Sequence, residues 1–176
     1  MRTEIDVRGM LARTGMPHSD LITRPTGRAV RSSIEAELAG AQGADVVILD
    51  FSAIRLIDFS CADEILARLV QLAPCVVVMR GLAEHHVDPV LQVLERQHLA
   101  VVIEAGDGLE LLGSVEPPTR AAFDCLAGRR GAAAAPEDLA AELAMPADEV
   151  AAALDELAGR RLILGAAGRY HTPSAA

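Results

Sequence analysis

The sequence contains no lysine and no tryptophan, and only 2% of its residues are aromatic. Arginine therefore carries every permanent positive side-chain charge, and aliphatic residues must build the core, since 51% of the chain is hydrophobic. The net charge is −9, which argues against general nucleic-acid binding, because that binding depends on cationic side chains that neutralise phosphates. A local basic patch is still compatible with this charge.

Long apolar runs are absent as well. No segment approaches the roughly 18 apolar residues that a membrane helix needs, and residues 1–6 lack the apolar segment of a secretory signal. The three cysteines are odd in number and widely spaced, which suits reduced thiols better than a disulfide framework. We therefore expect a soluble, cytoplasmic protein that does not contact a membrane.

The first two thirds of the chain alternate between apolar runs and amphipathic segments. Continuous apolar runs are typical of strands covered on both faces of a parallel sheet, and the alternation with helices implies right-handed crossovers. Residues 3–7 are predicted to form an antiparallel edge strand, and residues 9–27 a loop. The predicted helices span residues 28–41, 61–72 and 83–98, and the predicted buried strands span residues 46–49, 75–79 and 100–104.

Pro117 and Pro118 mark a change of pattern. Three predicted helices follow, and after them a hairpin, which is the element order of a winged helix-turn-helix. The prediction is an α/β domain over residues 1–116 and a small α+β winged-helix domain over residues 117–176. The predicted helices of this second domain span residues 119–128, 136–144 and 147–159, and its hairpin strands span residues 162–164 and 169–171.

The most informative stretch follows the first buried run. Ser60 opens a predicted helix and is followed three positions later by Asp63, which has the spacing of a capping box. In one interpretation Ser60 only caps the helix. In the other it is a phospho-acceptor, because a phosphate at a helix N-terminus meets free amides, although Asp58, Asp63 and Glu64 would repel that phosphate.

Residues 46–66 resemble the core of STAS domains, the family of anti-sigma-factor antagonists. In that family a buried strand precedes an Asp-Ser-Ser-Gly-like segment that opens a helix, and a partner kinase phosphorylates the second serine. Asp58 matches the family aspartate and Ser60 matches the phospho-acceptor. Phe59 and Cys61 stand where the family commonly has serine and glycine.

A divergent STAS-like group is a closer match. It shares an Asp-Phe-Ser strand end, here residues 50–52, a Ser-Phe-Ala-Asp-Glu-like helix start, here residues 60–64, and an Arg-Pro-x-Gly-Arg-like segment, here residues 24–28. The resemblance covers residues 3–113 and implies a STAS-like sheet in a non-enzymatic regulator of transcription or sigma factors. It implies a protein partner, either a kinase-like ATPase or an anti-sigma factor.

The partner-binding candidates lie in these two segments. The segment at residues 24–28, with Arg31, is cationic and suits either a phosphate or an acidic partner, or is a solvated loop and helix cap; it lacks the P-loop pattern. Cys61 is expected to be a buried small apolar residue rather than a reactive thiol. The candidates are Arg24, Arg28, Asp58, Phe59, Cys61, Asp63 and Glu64.

Catalytic and metal-binding patterns are missing from the sequence. Glu84, His85, His86 and Asp88 are predicted to form an exposed helix start, because adjacent histidines point to different helix faces. No nucleophile–base or paired-carboxylate arrangement can be identified from spacing. We therefore expect no enzyme activity, cofactor or metal.

The predicted winged helix has few features of a DNA reader. Recognition helices meet base edges near their N-termini, and here that end carries Asp148 and Glu149. Arg160, Arg161 and Arg169 cluster at the predicted wing, where they are the candidates for phosphate contacts. Protein contact or homodimerisation is the favoured role of this domain, and DNA binding is the alternative.

Overall fold

A computed structural model describes residues 1–41 and 43–173 of the chain, and a five-stranded sheet forms its centre. The sheet strands are β1 (Arg2–Asp6), β3 (Val46–Asp50), β5 (Val76–Arg80), β6 (Ala100–Ala105) and β7 (Gly108–Gly113), while β2 (Asp20–Leu21) and β4 (Leu56–Ile57) pair in a separate parallel ribbon. They lie in the order β1-β3-β5-β6-β7. The first four are parallel and β7 is antiparallel to β6, which confirms the α/β class.

Helices of the N-terminal segment cover one face of the sheet. Because the strand order follows the chain, successive right-handed crossovers place their helices on the same side. Val47, Leu49, Val77 and Met79 belong to the hydrophobic cluster on this side. The helices are α1 (Val7–Arg13), α2 (Arg24–Gly40), α3 (Phe59–Ala62), α4 (Arg68–Leu72) and α5 (Glu84–Arg96), with a π-helical turn (Asp63–Ala67) between α3 and α4.

The C-terminal segment covers the opposite face. It contains α6 (Pro117–Ala127), α7 (Pro136–Leu143), α8 (Ala147–Gly159) and a hairpin of β8 (Leu164–Ala166) and β9 (Arg169–His171). Side chains alternate between the faces of a strand, so Val46, Ile48, Val76 and Val78 point away from the first cluster. They share a second buried cluster with side chains of all three C-terminal helices, among them Phe123, Leu139 and Leu154.

The division at residue 116 stays a prediction, but the two segments share this second cluster. Burial on both faces explains why the central strands are continuous apolar runs. The order of three helices and a hairpin also matches the sequence prediction. Among the described residues, no helix is both long and apolar enough to cross a membrane.

Two predictions about the N-terminal region are wrong. The first strand is parallel to β3, because α1 directly follows it and begins the return to the other end of the sheet. Residues 9–27 are not one loop: they contain the end of α1, strand β2 and the first turn of α2. Pro25 lies in that first turn, where the missing amide hydrogen of proline costs nothing.

Candidate functional site

Asp58 is the N-cap of α3 and the centre of the candidate site. Its Oδ1 accepts hydrogen bonds from the amide of Cys61 at 2.7 Å and from the hydroxyl of Ser60 at 2.9 Å. Its Oδ2 accepts the amide hydrogen of Thr23 at 3.0 Å. One carboxylate therefore joins the start of α3 to the residue that precedes α2.

The prediction that Ser60 caps the helix with Asp63 is wrong. α3 begins at Phe59, two residues earlier than expected, so Ser60 already lies within the first turn. Asp58 has an extended backbone and a side-chain acceptor directed at the third amide, as an N-cap requires. Ser60 instead donates its hydroxyl hydrogen to that cap and is half-buried.

Thr23 has an unusual backbone conformation. Its φ is +73° and its ψ is 142°, a region populated almost only by glycine, and such a conformation costs about 1–3 kcal/mol. The carbonyl of Thr23 accepts the Cys61 thiol hydrogen at 3.0 Å and the Gly27 amide hydrogen at 3.1 Å. Its hydroxyl lies 3.1 Å from that of Thr26.

The backbones of helices α2 and α3 lie close together at Gly27. A Cβ added to Gly27 would lie 2.9 Å from Cys61 Cα and 3.0 Å from Glu64 Cβ. The absence of a side chain at residue 27 therefore lets the two helix backbones meet. This contact brings together the two sequence segments that carry the predicted partner-binding residues.

The arginines of α2 face the carboxylates that follow α3. Arg24 Nη1 lies 3.0 Å from both Asp63 Oδ2 and Glu64 Oε1, and Arg31 Nη1 lies 3.0 Å from Glu64 Oε2. Arg28 is more exposed and lies 3.6 Å from Glu64. The expectation of a loop at residues 24–28 is wrong, because these residues form the first turns of α2. Their arginines lie on one face of that helix and pair within the chain.

The two central carboxylates have lowered pKa values. Burial raises the pKa of Asp58, but hydrogen bonds from Thr23, Cys61 and Ser60 outweigh burial and lower it overall. Burial likewise raises the pKa of Glu64, and the hydrogen bond from Arg24 with the charges of Arg28 and Arg31 lowers it overall. Both groups are therefore ionised at neutral pH.

Asp58→Asn is expected to make the free energy of unfolding depend less on pH in the acidic range. A carboxylate whose pKa is lower in the folded chain stabilises the fold above its unfolded value, 3.8 for Asp58, and this contribution disappears as the pH falls through the folded value. Asparagine is as good an N-cap as aspartate, but its side-chain nitrogen cannot accept the hydrogen bonds that the second carboxylate oxygen accepts. At neutral pH we therefore expect a loss of about 0.5–1.5 kcal/mol. Urea denaturation from about pH 7 to pH 3 measures both effects. A difference between the two proteins that is constant with pH would contradict this assignment.

Cys61 and Phe59 are placed differently from the other candidates. Cys61 is 0% exposed, and burial together with the charge of Asp58 raises its thiol pKa to about 12. The prediction of a buried small residue at Cys61 is confirmed. Phe59 is half-buried, and the guanidinium of Arg96 lies 5.8 Å from the centre of its ring.

A polar cavity of about 350 Å³ lies beside the ion pairs of Arg24 with Asp63 and Glu64. It adjoins the π-helical turn, a feature that is frequent at functional sites. Its walls carry both charges and two amide side chains. The lining residues are Arg24, Asp63, Glu64, Ala67, Arg68, Gln71 and Gln97.

The prediction of an exposed histidine pair is half wrong. His85 is exposed, but His86 is 1% exposed. Both rings place Nε2 near the carbonyl oxygen of Arg55, at 2.7 and 3.2 Å, and His86 Nδ1 accepts the amide hydrogen of Ala83. Burial lowers the pKa of His86. Within the described residues, no group of three potential ligands has the geometry of a metal site.

Two of the predicted wing arginines make contacts within the chain. Arg160 donates to the carbonyl of Ser114 at 2.7 Å and pairs with Glu156 at 3.2 Å, and Arg169 donates to the carbonyl of Ala133 at 2.7 Å. Arg161 is exposed. The exposed side of α8 carries Asp148, Glu149, Asp155 and Glu156.

The sequence reasoning missed Thr23 and the contact at Gly27. The repeat of Arg24, Arg28 and Arg31 at helical spacing was the available signal for a helix that begins at residue 24. No local signal marks Thr23, because its conformation depends on Asp58 and Cys61. Comparison with known proteins adds no relative: no family model, curated protein or solved structure matches the chain.

Proposed function

We propose that the chain is a non-enzymatic, cytoplasmic regulatory protein that acts through protein–protein contact at a STAS-like site. Phosphorylation of Ser60 controls that contact. The observation that carries the proposal is the arrangement around Asp58. The two segments that resemble STAS-like proteins, residues 24–28 and 60–64, meet there at the start of α3. The partner is a kinase-like ATPase or an anti-sigma factor, in the control of transcription or sigma factors.

Ser60 has the features of a phospho-acceptor. Its hydroxyl is half-buried in the first turn of α3 and donates to an ionised carboxylate. In the reaction, the γ-phosphoryl group of ATP moves to Ser60 Oγ, the bond to ADP breaks, and the hydroxyl proton is released. The product adds about 1.5–2 negative charges next to Asp58, which changes the surface that a partner meets.

DNA binding is the weaker alternative for the C-terminal segment. The exposed side of α8 carries four carboxylates, and phosphate groups repel such a surface. Arg160 and Arg169 already donate to backbone carbonyls. These contacts favour a role for this segment in protein association, either with a partner or in a homodimer.

Ser60→Asp is expected to weaken capture of the partner by about tenfold, which corresponds to the loss of one charge-sensitive contact. Ser60→Ala removes only the hydroxyl and is expected to retain the partner. The measurement is quantitative mass spectrometry of proteins retained by each immobilised variant from an extract of the source cells. The same extract shows whether native Ser60 carries phosphate.

Ser32→Asp is the matched control, because Ser32 is exposed on α2 and outside the candidate site. It adds the same charge and is expected to retain the partner. If Ser60→Asp, Ser60→Ala and Ser32→Asp retain identical sets of proteins, the proposed switch is wrong.

A further inference from the structure

Thr23 joins the β2–β4 ribbon to α2 in a conformation that a β-branched residue avoids. Its φ of +73° and ψ of 142° place it where glycine is the usual residue. Two contacts from α3 hold it there: its amide donates to Asp58, and its carbonyl accepts from the thiol of Cys61. A strained residue persists only when its surroundings determine its conformation.

The carboxylate that holds Thr23 also holds Ser60. Asp58 uses Oδ1 for Ser60 and Cys61 and Oδ2 for Thr23. A change of charge at Ser60 therefore acts on the group that maintains the strain. Thr23 in turn provides the carbonyl that accepts the amide of Gly27, a hydrogen bond in the first turns of α2.

We propose that Thr23 is a strained latch that transmits modification of Ser60 to the start of α2. The proposal rests on the proposed function, in which Ser60 is phosphorylated. Phosphoserine cannot donate to Asp58 through its former hydroxyl and repels the carboxylate. Asp58 then loses its hold on the Thr23 amide, φ of Thr23 returns to negative values, and the first turn of α2 is released.

The released turn carries an exposed cation. Arg24 directly follows Thr23, and its guanidinium bonds Asp63 and Glu64 while the latch is closed. Phosphoserine offers Arg24 a further charged acceptor that suits a bidentate guanidinium, so it competes with Asp63 and Glu64 for Arg24 and favours the open form. A partner therefore contacts the start of α2, with Arg24 and Arg28, as well as the modified Ser60.

The test is residue-resolved amide exchange on the full chain, with phosphoserine installed at position 60 during synthesis. We expect exchange at the amides of Thr23 and residues 27–30 to rise at least about fivefold in the phosphorylated chain, since the strain favours opening. Amides of α8 are expected to be unchanged. Asp58→Ala is expected to give the same pattern without phosphate.

Thr23→Gly distinguishes a strained latch from simple repulsion. Glycine adopts the observed conformation without strain, so exchange at residues 27–30 is expected to fall about fivefold in the unmodified chain. The phosphorylated variant should then exchange no faster than the unmodified parent. Thr26→Gly is the matched control: Thr26 lies inside the helix, where glycine is unfavourable, so exchange there is expected to rise.

Unchanged exchange after phosphorylation would overturn the latch, and so would faster exchange in Thr23→Gly. Neither result depends on a kinase or a partner, because the phosphate is installed chemically. If amide exchange contradicted the latch but the Ser60 variants still differed in partner capture, the proposed function would stand. If the Ser60 variants captured the same partners but phosphorylation still raised amide exchange, the proposed function would be wrong and the latch would stand as a property of the fold.

Discussion

Phe123→Ala is expected to lower the free energy of unfolding by about 3–5 kcal/mol, the usual cost of a large core truncation. Phe123 is 0% exposed and belongs to the buried cluster that also contains Ile48, Val78 and Val102 of the sheet. The cavity that the substitution creates therefore lies between the sheet and the C-terminal helices. The expected loss extends to the N-terminal segment, because both segments depend on the same cluster.

The chain offers one probe for each segment. Tyr170 is its only tyrosine, and tryptophan is absent, so intrinsic fluorescence reports on the C-terminal hairpin. Labelling of the buried Cys61 thiol, distinguished by peptide mass from labelling of Cys75 and Cys125, reports on the N-terminal segment. Both probes are expected to show one shared urea transition, at lower urea in the variant. A fluorescence transition that shifts alone, with unchanged labelling of Cys61, would instead indicate two independent domains.

Asp124→Ala is the matched control for this substitution. Asp124 neighbours Phe123 in α6 but is exposed, and surface changes of this kind usually alter stability by less than about 0.5 kcal/mol. It therefore separates an effect on the helix itself from an effect on the shared cluster.

The central strands were predictable because their composition depends on burial alone. The apolar runs around Val47, Val77 and Val102 are explained by helices on both faces. Helices α7 and α8 were predictable to within a residue, because Pro136 and Pro146 mark their starts and their apolar faces are regular. In these elements local pattern and tertiary packing agree.

The candidate site was only partly predictable, because its geometry arises from contacts between distant residues. Asp58 and Ser60 were identified from their neighbours in the chain. Which of the two caps the helix depends on where the helix begins, and the start at Phe59 makes Asp58 the cap. Thr23 and Asp58 are 35 residues apart and joined by one hydrogen bond. No periodic pattern encodes such a contact, and a positive φ at threonine contradicts its local preference.

Gly27→Ala is expected to destabilise the fold by about 1–3 kcal/mol through overpacking, although alanine is the better helix former by about 0.5–1 kcal/mol. The added Cβ would lie 2.9 Å from Cys61 Cα and 3.1 Å from its carbonyl oxygen. Backbone atoms cannot turn aside as the end of a flexible side chain can, so α2 must move away from α3. Equilibrium urea denaturation measures the loss.

Gly40→Ala is the matched control in the same helix, because among the described residues no atom outside the local helix backbone lies within 4 Å of the Cβ that it adds. We expect it to leave stability unchanged or to raise it slightly. Movement of α2 in Gly27→Ala also lengthens the contacts of Thr23 with Asp58 and Cys61, so faster labelling of the Cys61 thiol should accompany the lower stability. If Gly27→Ala were as stable as Gly40→Ala and equally resistant to labelling, close backbone packing would not be what holds α2 against α3. The hold would then come from the ion pairs of Arg24, Arg28 and Arg31 with Asp63 and Glu64.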